Sequence, residues 1–89
     1  MVVVVDSEIN GTLAASSLFR LLGLTEAEAR VAAVLGTGAK PEYTAAELGV
    51  AIGTIRNHIK SIFSKLDISR QSELVALAAR LSILQPAGG

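Results

Sequence analysis

Apolar positions recur at helical spacing along most of the chain, and the breaks between helices are marked by turn residues and caps. The first residues are the exception. Val2 to Val5 is a β-branched run closed by Asp6-Ser7 and followed by the turn-like Asn10-Gly11, which predicts one short strand. From Thr12 the period lengthens: Leu13, Leu18, Leu21 and Leu22 share one broad face of a linker helix that Gly23 closes. Thr25-Glu26-Ala27-Glu28 is a capping box, in which the Thr side chain and the Glu carboxylate each satisfy one orphan amide. The helix it opens has Val31, Val34 and Leu35 inside and stops at Gly36-Thr37-Gly38. Lys40-Pro41 is then expected in a loop, and a second capping box, Thr44-Ala45-Ala46-Glu47, opens a short helix that Gly49 stops. After Val50-Ala51-Ile52 a third helix is predicted from about Gly53 to Leu66. Asp67-Ile68-Ser69 breaks it, and Ser69 caps a fourth helix running to about Leu84.

Composition supports this reading. Of 89 residues 51% are hydrophobic, yet only Phe19, Tyr43 and Phe63 are aromatic, and Ala and Leu, the strongest helix formers, dominate. A chain of this length buries about 60–65% of its unfolded surface, so its core is thin and self-association would help it. With no Cys and a single His there is neither a disulfide framework nor a Cys/His zinc site. No interior apolar run approaches the ~20 residues of a bilayer span, and Met1 to Val5 lacks the basic start of a signal peptide. These features exclude a multi-domain enzyme, a membrane protein and a disulfide scaffold. The lone strand either pairs with another copy or ends an upstream domain, the second being favoured. In that case the chain is a piece of a longer protein.

The net charge of zero is a cancellation. From Leu24 to Val50, Arg30 and Lys40 face four glutamates, Glu26, Glu28, Glu42 and Glu47. From Ala51 to Arg70, Arg56, Lys60, Lys65 and Arg70 face Asp67 alone, which makes this stretch locally basic. The same stretch carries the candidate chemistry. A short helix, a tight turn and a longer helix that cross closely make a helix-turn-helix. Ala45 lets the backbones approach, Gly49 accepts a left-handed turn, and Ile55 plugs the angle between the helices.

At ~100° per residue, Ile55, Ile59, Ile62, Phe63 and Leu66 form one apolar stripe on the third helix. Opposite lie Asn57, Lys60, Ser61 and Ser64, flanked by Arg56 on one side and by His58 and Lys65 on the other, with no carboxylate from Gly53 to Leu66. Such a face suits the major groove, since Arg and Lys donate to guanine edges, Asn pairs with adenine and Ser allows close approach.

Leu24 to Val75 resembles the LuxR-type (GerE-like) helix-turn-helix domain of bacterial transcription regulators. The resemblance is carried by Leu24-Thr25, Glu28, Val31, Gly38, Ala45, Leu48-Gly49-Val50, Thr54-Ile55-Arg56-Asn57-His58-Ile59, Ile62-Phe63, Lys65-Leu66 and Arg70. It implies an all-α fold, a compact four-helix helix-turn-helix domain preceded by the short N-terminal strand and linker helix. The expected boundaries are 1–23 for strand and linker, 24–85 for the domain and 86–89 for a disordered tail. It further implies sequence-specific binding of double-stranded DNA, with Arg56, Asn57 and Lys60 at base edges and Thr54, His58, Ser61, Lys65 and Arg70 on the backbone. The chain departs from the family at Ala27 and Tyr43, where an Arg and a Glu usually bond each other, and at Ala51, where a capping Ser is usual.

Other features read plainly. His58 has no nucleophile or orienting carboxylate to make it a catalytic base. Gly36-Thr37-Gly38 lacks the length and the Lys of a phosphate-binding loop. Leu74, Leu77, Ala78, Leu81 and Leu84 form a stripe on the fourth helix that serves either dimerisation, the favoured reading, or added core packing. The expectation is a cytoplasmic effector domain without enzymatic activity, cofactor or metal. Its expected partners are double-stranded DNA, a second copy joined through the C-terminal helix, and RNA polymerase; the membrane is not one. The alternatives are a protein-interaction module using the Leu-rich helix and a sigma-factor region-four-like domain.

Overall fold

The computed structural model describes residues 15–83. The strand expected over Val2–Val5, Leu13, and the chain from Leu84 onward lie outside the described residues. Five helices make up the described part: α1 over residues 15–21, α2 Glu26–Leu35, α3 Pro41–Leu48, α4 Ile52–Leu66 and α5 Gln71–Ile83. The all-helical, helix-turn-helix expectation is met.

The hub is α2, which packs against α3, α4 and α5. Its position follows from its composition: Ala29, Ala32 and Ala33 are buried alongside Val31 and Leu35, so the helix is thin enough to have neighbours on several sides. Its start is the capping box read from the sequence, with the Glu28 amide donating to Thr25 Oγ1 at 3.1 Å and the Thr25 amide to Glu28 Oε1 at 2.9 Å. At its end, Gly36 is needed for space. A Cβ there would stand 2.8 Å from the Ala78 Cβ, so α5 crosses α2 at near backbone contact. Gln71 fastens the same junction, its Nε2 donating to the Leu35 and Ala39 carbonyls at 2.9 and 2.7 Å.

Three local readings need correction. The inner face of α1 is Ala15, Leu18 and Phe19; Phe19 is fully buried, whereas Leu21 is 80% exposed and Leu22 40%. Phe19, the largest apolar surface in the segment and not one of the row of leucines, takes the core position. Helix α3 begins at Pro41, not at Thr44. Proline fits the first helical position, where its missing amide costs nothing, and Thr44 sits buried in the helix with Oγ1 donating back to the Lys40 carbonyl at 3.0 Å. At the start of α5 it is the Glu73 carboxylate that accepts the Ser69 and Arg70 amides, at 2.7 and 3.1 Å.

The core gathers one or more residues from every helix: Phe19, Leu35, Ala45, Ile55, Ile62, Leu74 and Leu81, with Leu24 from the loop before α2.

Candidate nucleic-acid interface

The turn between α3 and α4 has the geometry its residues dictate. Gly49 is left-handed (φ 70°, ψ 33°), and the Val50 amide donates to the Ala45 carbonyl at 3.0 Å, closing the end of α3. Ala45 is 6% exposed at the crossing, and Ile55 is fully buried in the angle. Ala51 enters α4 extended and gives no side-chain cap, so nothing but the protein backbone and solvent meets the first amides of α4. The apolar stripe is seated as read: Ile55 and Ile62 are fully buried, while Ile59, Phe63 and Leu66 pack on the core from its edge.

Facing outward are Gly53, Thr54, Arg56, Asn57, Lys60 and Ser64, all exposed. Among the described residues the side chains of Arg56, Asn57 and Lys60 have no bonded partner, so all their donors are available. Arg70 is exposed just before α5. His58 points elsewhere: it is half-buried and lines a cleft of about 400 Å³ with Glu26, Ala27, Arg30, Val31, Leu48 and Val50. An exposed Glu26–Arg30 ion pair of 3.1 Å stands at that cleft.

Ser61 and Lys65 occupy a third place. Ser61 is half-buried, off the outward face on which the sequence placed it, and its hydroxyl donates to Glu28 Oε2. One turn later Lys65 Nζ donates to Glu28 Oε1 at 2.7 Å. Glu28 is itself buried, 6% exposed. The bonds from Lys65, Ser61 and the Thr25 amide outweigh the cost of burial and hold its carboxyl at about 2, well under the ordinary 4.5. Glu28 is thus a functional candidate that sequence reading took for a cap alone. Its partners lie 33 and 37 residues away, and no local signal announces them.

The fourth-helix stripe is divided. Leu74 is fully buried and Leu81 8% exposed, both in the chain's own core; Leu77 and Ala78 pack against it at the margin. Among the described residues no cluster of His, Asp and Glu is placed to hold a metal ion, and no helix is long and apolar enough to cross a membrane.

An exposed, acid-free helix behind a tight left-handed turn is a recurrent motif, so the decisive observation is agreement along the whole domain. The family model described as bacterial regulatory proteins, luxR family, matches residues 22–78. The chain belongs to the luxR family. Its relatives include a protein of Aeromonas salmonicida, provisionally named an HTH-type transcriptional regulator in the exeN 3′ region. It is 38% identical over 65 residues, 73% of this chain and 33% of that protein. The transcriptional regulatory protein LnrK of Bacillus subtilis is 35% identical over 63 residues, 71% of this chain and 29% of LnrK. The HTH-type transcriptional regulator MalT of Yersinia pestis is 36% identical over 64 residues, 72% of this chain and 7% of MalT. The luxR-family domain therefore spans a third or less of the length of these relatives. No solved structure matches the chain.

Proposed function

We propose that this luxR-family domain is the DNA-binding effector part of a transcription regulator, with α4 lying in the major groove of duplex DNA. The observation that carries the reading is the outward face of α4, where Arg56, Asn57 and Lys60 are exposed with all their donors available and no acid stands among them. These three would meet base edges, and bidentate contacts of that kind discriminate by about 1–3 kcal/mol each. Thr54, Arg70 and the uncapped first amides of α4 would meet phosphates and set the register. Lys65 would approach the backbone from the flank, keeping two ammonium donors beyond the one given to Glu28; Ser61, whose one hydroxyl donor goes to Glu28, and His58, turned to the cleft, would not. The relatives' names, all of regulators, favour the same reading. Acting on chromosomal DNA places the domain in the cytoplasm.

A single domain with so few cations binds weakly, and two copies on two half-sites remedy this through effective concentration. We place their contact on the exposed side of α5 that carries Ser72 and Ala76, opposite the buried Leu74 and Leu81.

The test is a titration with random-sequence duplex DNA at two salt concentrations, beside the Arg56→Ala/Lys60→Ala double variant. Wild-type binding should weaken steeply with salt, and at the lower salt the variant should bind at least about tenfold more weakly than the wild type. A folded wild-type domain that does not bind at low salt, or a double variant that binds as well, would sink the proposal.

A further inference from the structure

Apolar packing is non-directional, so the stripe from Ile55 to Leu66 settles how near α4 lies to the core but only loosely how it is rolled about its own axis. Roll matters here. With side-chain tips about 6 Å from the axis, a roll of about 20° moves them about 2 Å, enough to break a hydrogen bond to a base. Directional bonds from α4 to the rest of the domain are therefore the element to look for. Among the described residues, side-chain bonds of that kind converge on one group, the buried carboxylate of Glu28. Ser61 and Lys65 lie one turn apart on a single flank of α4, so the carboxylate grips the helix at two levels. Glu28 is in turn locked at the start of α2 by the Thr25 amide at 2.9 Å.

We propose that Glu28 is the positioning residue of the DNA-reading helix. Its carboxylate fixes the roll of α4 through Ser61 and Lys65, and its charge offsets that of Lys65, so that non-specific attraction to phosphate is held down while the reading face is held in register. The inference rests on the DNA-binding reading above. It adds a residue that touches no DNA and yet governs discrimination.

The ionised state of Glu28 persists at neutral pH, since its carboxyl is held at about 2. The grip and the charge offset are therefore permanent features of the working domain and not a pH-gated state.

The experiment compares wild type, Glu28→Gln and Ser61→Ala on two probes, random-sequence duplex and the duplex that the wild type selects from a random pool. Circular dichroism and thermal melts establish that each variant is folded. Glu28→Gln keeps the side-chain length and removes the charge. Its binding to random duplex should depend more steeply on salt, by about 0.9 in the log–log slope, as the charge of Lys65, no longer offset by Glu28, displaces one more counterion. Its ratio of selected to random affinity should fall at least about fivefold. Ser61→Ala leaves both charges and should lower the ratio without changing the slope; it also carries the test if Glu28→Gln does not fold. A purely structural Glu28 would lower the melting temperature and leave slope and ratio at their wild-type values, which overturns the proposal. Failure of the wild type to bind either duplex would instead overturn the DNA-binding reading, and this inference with it.

Discussion

At Glu28 one carboxylate performs two tasks that the chain separates by more than thirty residues. As the third residue of α2 it completes a cap, and as a buried anion it receives Ser61 and Lys65 from α4. Because these bonds favour the ionised form, its folded pKa of about 2 lies below the ordinary 4.5. A depressed carboxyl contributes stability that is complete above the unfolded value and is lost as pH falls through the folded one. The melting temperature of the wild type should therefore exceed that of Glu28→Gln at pH 6, and the gap should close between about pH 4.5 and about pH 2. A gap that stays constant over that window would show the charge to be idle. The exposed Glu26–Arg30 pair, by contrast, should matter little, since both side chains are 63% exposed and solvent screens them.

Among the elements, α1 departs most from what its pattern suggested. A row of leucines invites the reading that they all face inward, yet the fully buried residue is Phe19, and Leu21 stands in solvent. Phe19→Ala should cost about 3–5 kcal/mol, the range for removing a fully buried aromatic side chain. Leu21→Ala should stay within about 0.5 kcal/mol, as an exposed substitution does. Chemical denaturation of the two variants side by side decides the orientation of α1, and equal losses would contradict it. Helix α4 is the opposite case. Its stripe and its break at Asp67 follow from local sequence, and only its first residue, Ile52, comes one earlier than the turn residues suggest.

For the molecule as a whole, the question is what remains of α5 for a second copy once Leu74 and Leu81 are buried. Ala76 is exposed on the side away from them. Ala76→Glu should leave the melting temperature of the free domain nearly unchanged. It should also reduce paired occupancy of a two-half-site duplex, read by sedimentation, because two copies would bring the new charges together. Unchanged pairing would move the contact off this face. The thin core also explains why a partner would help, since few of its residues are large and none of its staples is covalent.

What the sequence determined by itself was most of what near neighbours govern: the capping box at Thr25, the left-handed Gly49, the small Ala45 and the plugging Ile55 of the turn, and the apolar stripe of α4 with Arg56, Asn57 and Lys60 away from it; the starts of α3 and α5, equally local, it misplaced. Helical periodicity and cap chemistry are local rules, so these residues could be placed without a fold. Only the tertiary structure decided which apolar residues of α1 and α5 the core takes, why Gly36 must be small, and which acid grips α4. Each of these depends on a surface brought from a distant part of the chain. The acid-free run from Gly53 to Leu66 is acid-free along the chain alone: in space Glu28 lies against it, and the flank carrying Ser61 and Lys65 meets that charge.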